Sequence, residues 1–474
     1  MKEFNVKSKP MLSLLSGGGG GSGFISGGAT ASKTYVDDVF NTYVYTSNAS
    51  STGDGTTQTI TTGIDHTKGF LTWIKNRTDD GTDNILFDSE RIGTNYKWIY
   101  TNSAGEEQDT AEIFTNPTST GFTVKQATSG SGVGRTNPTG SKEMVAWTFR
   151  KAAGFFDVVT WTGNSQQGRQ IAHDLGSVPG MILIKRLGTS TANWEVWHNS
   201  FGVNEYMTLN SGNPKVTSGG PWNGTAPTST HFTVDSTGGD SDVNYNGDTY
   251  VAYVFAHNVA SFGEDEDEAI IHCGTYSGNG GYQTIDIGFE AQWVMCKRVD
   301  GSATDWSVFD IMRGAPGGTN TIIGNNSRRL RASSDATEDL SGVGVHSNGF
   351  VLGNGSSEVN TSGRTYLYMA IRRPNKPATV ATDVFTGANH ETGNASPYYK
   401  TSGHVSDLVF FARPNTSTAM QILARQMGKQ FMEPYTSSSS SSNSYYLWDY
   451  MNGMNSYTSS GDDGYNHYSF KRDP

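Results

Sequence analysis

Cysteine is nearly absent from this sequence: Cys273 and Cys296 are the only two in 474 residues. Two thiols cannot build a disulfide framework, and both lie in strand-like runs, which predicts buried free thiols. Cations are also few, 34 Lys and Arg against 45 Asp and Glu, for a net charge of −11. That balance argues against nucleic acid as the main partner, because phosphate binding needs a basic face. Long apolar runs are missing. The N-terminal one, from Met11 to Leu15, is too short for the core of a signal peptide. No stretch approaches the ~18 residues needed to span a membrane. Synthesis in the cytosol without membrane insertion is therefore the expectation. Strong helix formers are sparse, while Gly (58 residues), Ser, Thr and Asn are abundant. With aromatic and β-branched residues recurring throughout, the composition predicts all-β structure and not disorder.

Self-comparison then finds internal repeats. Three segments open alike, at Val44-Tyr45-Thr46, at Val159-Thr160-Trp161-Thr162-Gly163 and at Gly274-Thr275-Tyr276-Ser277-Gly278. Each continues into an apolar strand that ends in lysine, at Lys75, Lys185 and Lys297. A Trp-containing strand follows in two of them (Trp194-Glu195-Val196-Trp197 and Trp306-Ser307-Val308-Phe309), with Ile85-Leu86-Phe87-Asp88 in that place in the first. Later come Gly121-Phe122-Thr123-Val124, His231-Phe232-Thr233-Val234 and Gly349-Phe350-Val351-Leu352. An Asn-x-x-Gly turn (Asn137 to Gly140, Asn244 to Gly247, Asn360 to Gly363) leads each into a closing strand. The closing strands lie roughly 105–115 residues apart, a normal size for one β domain. A weaker fourth copy runs from Asp383 through Leu408-Val409-Phe410-Phe411 to Tyr468-Ser469-Phe470. The chain stops soon after, at Pro474, where a repeat boundary falls, so a longer natural protein is expected.

Short runs with period-two alternation, such as Val251-Ala252-Tyr253-Val254-Phe255, bury one face of a sheet. The predicted fold is all-β, a tandem array of jelly-roll-like β-sandwiches strung along the chain behind a Gly-rich N-terminal arm. The predicted units are an arm over 1–40 and sandwiches over 41–153, 154–262 and 263–376, with a divergent fourth over 377–474. Ala419 to Lys429 is the best helical segment, and reads equally as a strand with a turn.

Chemistry was sought in each class of motif. The glycines of 17–21 precede no Lys-Ser/Thr pair, which excludes a P-loop in practice. There is no Gly-x-Ser-x-Gly elbow. His390-Glu391 lacks the second histidine of a zinc helix. Asp242-x-Asn244-x-Asn246-Gly247 resembles half a calcium loop, but Tyr253 stands where the bidentate carboxylate is required. Its relation to the turns at Asn137 and Asn360 favours a hairpin. The acidic run from Glu264 to Glu268 reads as a solvated linker before a cation site. Asp305 and Asp310 are the pair a glycan hydrolase would need, but the first repeat only partly preserves them. No catalytic, cofactor or metal residues are assigned, and no enzyme is expected. Among aromatics, Trp161, Trp194, Trp197 and Trp306 fit a shared core. Trp222, in a Gly-rich loop, is the preferred exposed aromatic. With Tyr446 and Trp448, from a cluster after a serine run, it is a candidate for glycan or partner contact.

The phrases MLSLLSGGGGGSG and DDVFNTYVYT, the joint WTFRKAAGFFDVVTWTGN, HDLGSVPGMILIKR and YVAYVFA resemble a repeated domain family of marine bacteriophages, the cyanophages, pelagiphages and their relatives. The likeness covers about residues 11–474. It implies a large virion protein, a tail fibre or tail appendage for host attachment, with no assigned chemistry to carry over. Capsid decoration, a baseplate or collar piece, and a glycan-degrading tailspike are the alternatives. The implied partners are other virion proteins held through the N-terminal arm, copies of itself in a homo-oligomer (three is common in such fibres), and a host surface glycan or protein. The implied location is the virion, after synthesis in the host cytoplasm.

Overall fold

The computed structural model describes residues 33–188, 192–236, 243–317, 326–353, 357–390, 398–412, 420–427, 430–434, 441–442, 446–447, 453–456 and 465–471. The glycine-rich arm, residues 1–32, lies outside them. Nearly all regular structure is antiparallel β. No helix among the described residues is long and apolar enough to cross a membrane. Of the segment from Ala419 to Lys429, the described residues 420–427 form a strand, Gln421–Ala424, and a turn of 3-10 helix, Arg425–Met427.

Each repeat builds one large sheet with the same strand order: opening strand, closing strand, lysine strand (Leu408–Ala412 in that place in the fourth), then two more strands in the first and second repeats and three more in the third and fourth. In the first these are Phe40–Thr46, Glu143–Arg150, Phe70–Asn76, Ile85–Ile92 and Tyr96–Tyr100. Register is shared by all four. The opening residues Phe40, Phe156, Ile271 and Phe385 lie opposite Phe149, Phe255, Ile371 and Phe470. Those in turn lie opposite Leu71, Met181, Trp293 and Leu408 on the lysine strands. A small second sheet covers one face of each large one, built in the first repeat on Thr57–Ile60 and Phe122–Lys125. Each sheet draws its strands from a single repeat, and the fold is an all-β sandwich type. At the Asn-x-x-Gly turns, Gly140, Gly247 and Gly363 have φ of 85°, 87° and 71°, which glycine adopts without a Cβ clash.

The first three repeats are not strung end to end. In their large sheets, alternate residues face opposite ways. Met144 and Ala146 point into the first sandwich, while Val145, Trp147 and Phe149 point out of it into a second core. That second core is shared by all three repeats. Phe149 sits 5.5 Å from Phe255 and 5.9 Å from Trp293, ring centre to ring centre, in edge-on contacts. A sandwich needs only one apolar face per sheet. These sheets have two, and the second is removed from water by closing the repeats on one another. Each large side chain buried this way contributes about 1.5–3 kcal/mol. The short helix Val36–Val39, read from sequence as part of the arm, packs into the same core through Val36 and Val39.

Candidate functional site

A set of buried charged groups lies at the three seams where repeats meet. Lys75, Lys185 and Lys297 end the lysine strands and are buried. Each ammonium donates to its own repeat seven residues on, at Thr82, Ala192 and Thr304. Each also reaches a carbonyl of a neighbour: Lys185 to Ala104 at 2.8 Å, Lys297 to Gly212 at 2.9 Å and Lys75 to Asp335 at 3.0 Å. The second repeat thus holds the first, the third holds the second, and the first holds the third. The cycle is closed. Burial lowers all three lysines to about 8, and carbonyl acceptors are what make so dry an ammonium tolerable.

Closed cycles recur at three further positions, the last of them running the opposite way round the three repeats. Nine residues beyond each lysine, the Trp194 indole donates to the Tyr100 carbonyl (2.9 Å), Trp306 to Thr208 (3.0 Å), and the Asn84 amide to Arg331 (2.9 Å). Backbone bonds run from Glu107 N to Leu187 O, Lys215 N to Val299 O and Glu338 N to Arg77 O, each acceptor two residues past a lysine. Thirteen residues past the lysines, Asp88 accepts from the Tyr253 hydroxyl (2.6 Å), Asp310 accepts from the Trp147 indole (3.0 Å), and His198 donates to the Tyr368 carbonyl (3.2 Å).

Charge deepens two of the seams. Burial opposes the Arg91 charge, but Asp88 at 2.7 Å, with Tyr253 and Glu107, outweighs it and raises the guanidinium pKa. In the third-to-first seam, Glu338 is buried beneath Arg77, Arg313 and Arg328, each at 2.8 Å. Burial alone would push its carboxyl up, and the guanidiniums overcome that and hold it at about 2. Arg313 also grips Asp310 at 2.6 Å and lies over the Trp147 ring.

Trp222 is a correction to the sequence reading. Only 2% exposed, its ring belongs to the hydrophobic cluster that runs through the second repeat, and its indole donates to the Glu205 carbonyl at 3.0 Å. The Gly-rich loop folds back and carries the ring inward. Trp161, Trp194, Trp197 and Trp306 are buried too. Tyr446 falls in a short strand opposite Ser456, but its side chain, like all of Trp448, lies outside the described residues. Asn244 works as a turn lock, its carboxamide bonded to Asn164 and Gln166, as Asn137 is to Asn48 and Thr56 and Asn360 to Asn279 and Gly353. Asp242 is outside the described residues. The acidic run is solvated at Asp265, Glu266 and Asp267, while Glu264 accepts from the Tyr35 hydroxyl and Glu268 pairs with Arg372. Asp305 and Asp310 share no cleft: Asp310 is sealed in a seam, and Asp305 faces Ser333 and Arg331. Among the described residues no group of three or more potential ligands could hold a metal. Sequence reasoning passed over Tyr245 and Tyr282, exposed by 50% and 42% in loops beside the sandwiches. Their signal was a tyrosine placed between turn residues, in NYNG and GGYQ.

The fourth repeat meets the body across an apolar cavity of about 350 Å³ lined by Ile311, Val345, Leu408 and Phe470, with Glu290 and Arg425 among the charged groups on its wall.

No curated protein and no solved structure matches the chain. A family match does exist over residues 38–374, described as a domain of unknown function, DUF7483. Those limits begin in the helix before the first opening strand and end two residues past the third closing strand, so the match takes in the three interlocked repeats and stops before the fourth. The chain belongs to the DUF7483 family.

Proposed function

We propose that this chain is a structural component of a phage particle, a tail fibre or tail appendage that binds a host surface. The observation that carries the reading is where the polar chemistry goes. Lysines, arginines, carboxylates and indoles that could serve a reaction are used to lock three like sandwiches into one body. A rigid body of this kind presents loops at fixed spacing, which suits contacts that are weak singly and strong together. Tyr245 and Tyr282 are half-exposed aromatics, Tyr245 with Arg186 over one face of its ring, and are the contacts suited to a sugar or a protein surface. The likeness of the repeats to marine-phage fibre and tail proteins supports the same role.

Antibody raised against the purified chain should decorate the tail of particles of the virus that encodes it. The free chain should compete with those particles for adsorption to host cells, and Tyr245→Ala with Tyr282→Ala should weaken that competition. Particles that carry no label anywhere would end the proposal.

A further inference from the structure

The contact between the fourth repeat and the third leaves a hole that close packing would fill. Protein interiors hold few voids larger than a water molecule, yet the apolar cavity here measures about 350 Å³. Register shows where the room comes from. Opposite Leu71, Met181 and Trp293 the first three repeats carry Asp88, His198 and Asp310, all buried. Opposite Leu408 in the fourth stands only Ala424, and it lines the cavity. Ile311, Ala315 and Val345 of the third repeat form the facing wall, with Leu408 and Phe470 on the near one. An apolar cavity of about 150 Å³ accepts benzene, so this one has room for roughly a dozen carbon atoms.

One cation on the wall is left over. Lys471 lines this cavity and two that adjoin it, a narrow one of about 130 Å³ at Asn41 and Thr42 and a polar chamber of about 740 Å³ at Thr61, Thr379 and His404. Among the described residues its backbone donates to Val384, and its ammonium meets no hydrogen-bond or ion-pair partner. Arg372, likewise one residue past the closing-strand position in the third repeat, is paired with Glu268. The neighbouring charges are spoken for. Arg425 binds Asp407 at 3.2 Å and the Ile311 and Ser406 carbonyls, and Glu290 also has a partner. In the adjoining chamber Asp383 accepts from the Thr379 and Val380 N–H groups, and Asp37 from those of Asn375 and Lys376.

We propose that this cavity binds an unbranched alkyl carboxylate of about twelve carbons, its chain among Ile311, Val345, Leu408 and Phe470 and its carboxylate on the Lys471 ammonium. Apolar walls supply most of the contact in a small-molecule site, and a single well-placed polar group fixes which way round the ligand lies. The walls belong to two repeats, so the bound chain bridges the third to the fourth and stabilises their docking by its own binding. Neither Tyr245 nor Tyr282 lines the cavity, so it can bind whether or not the chain attaches a particle to a host.

Calorimetric titration of the full chain with dodecanoate, from about 1 µM to 1 mM, tests it. Saturable binding at one site per chain is expected. Each buried methylene is worth about four-fold in affinity, so octanoate should bind weaker by a factor of about ten or more. Dodecanol has the chain without the charge and should bind about tenfold more weakly than dodecanoate. In Lys471→Gln the two should bind alike, and Lys471→Arg should keep the preference for the carboxylate. Ala424→Phe puts a ring into the cavity and should abolish binding of both, with an unchanged circular dichroism spectrum. The proposal is overturned by a wild-type chain that does not bind dodecanoate saturably or that binds dodecanol as tightly. It is equally overturned if Lys471→Gln keeps the preference for the carboxylate, or if Ala424→Phe binds as well as wild type.

Discussion

Replacing Glu338 by glutamine isolates the electrostatic part of one seam. The side chain is almost fully buried, and its carboxylate bridges Arg77 of the first repeat to Arg313 and Arg328 of the third. Its pKa falls from the ordinary 4.5 to about 2 on folding. At 1.36 kcal/mol per pH unit, ionised Glu338 contributes about 3 kcal/mol. The folded pKa is the lower one, so this stability is fully present above pH 4.5 and is lost as pH falls through 2. Glutamine has the shape of the protonated acid and lacks the charge at every pH, leaving two buried guanidiniums short of a partner. Urea unfolding followed by tryptophan fluorescence should therefore show Glu338→Gln less stable than wild type by about 3 kcal/mol at pH 7, with the gap closing toward pH 2. His198, whose pKa burial lowers to about 4, also loses stability in acid, but equally in both proteins, so it cancels in the difference. Glu112→Gln is the control. It removes a half-exposed partner of Lys125 and should cost under about 1 kcal/mol. The reasoning is refuted if Glu338→Gln costs no more than Glu112→Gln, or if its cost is the same at pH 2 as at pH 7.

Trp306→Phe should cost about 1–3 kcal/mol, the loss of one indole bond and an unpaired Thr208 carbonyl. Trp306→Ala should cost about 3–5 kcal/mol, because it also opens a cavity in the shared core; thermal unfolding of the two variants separates bond from packing. Cys273 and Cys296 are buried free thiols with pKa raised by burial, Cys296 to about 12. Both should resist a thiol-specific reagent in the native chain and react once it is unfolded in denaturant; rapid native labelling would contradict their placement.

How the seams close also explains why mutations there should act together. Each buried lysine satisfies its protons on two repeats at once, so removing a neighbour strands an ammonium as well as apolar surface. Seam residues are in this sense coupled across about a hundred residues of sequence.

Periodicity along the chain was enough to determine the sandwiches. Alternation in Val251-Ala252-Tyr253-Val254-Phe255, the Asn-x-x-Gly turns and the recurring lysine strands are local signals, and local backbone geometry answers to them. The copying of one unit was legible for the same reason. The buried tryptophans followed from their recurrence at like positions, whereas Trp222 misled because a glycine-rich loop can fold inward as readily as outward, and only its neighbours decide. That the first three repeats close on one another was half visible. Phe70-Leu71-Thr72-Trp73-Ile74 is apolar on both faces of its strand, more than a lone sandwich needs, and Lys75, Lys185 and Lys297 recur at one register position that the fourth repeat lacks. What the second face packs against, and which carbonyls receive the lysines, depended on surfaces distant in sequence. Those pairings arise only when the sheets are brought together, because no local propensity records that Lys75 will meet Asp335 or that Phe149 will meet Trp293.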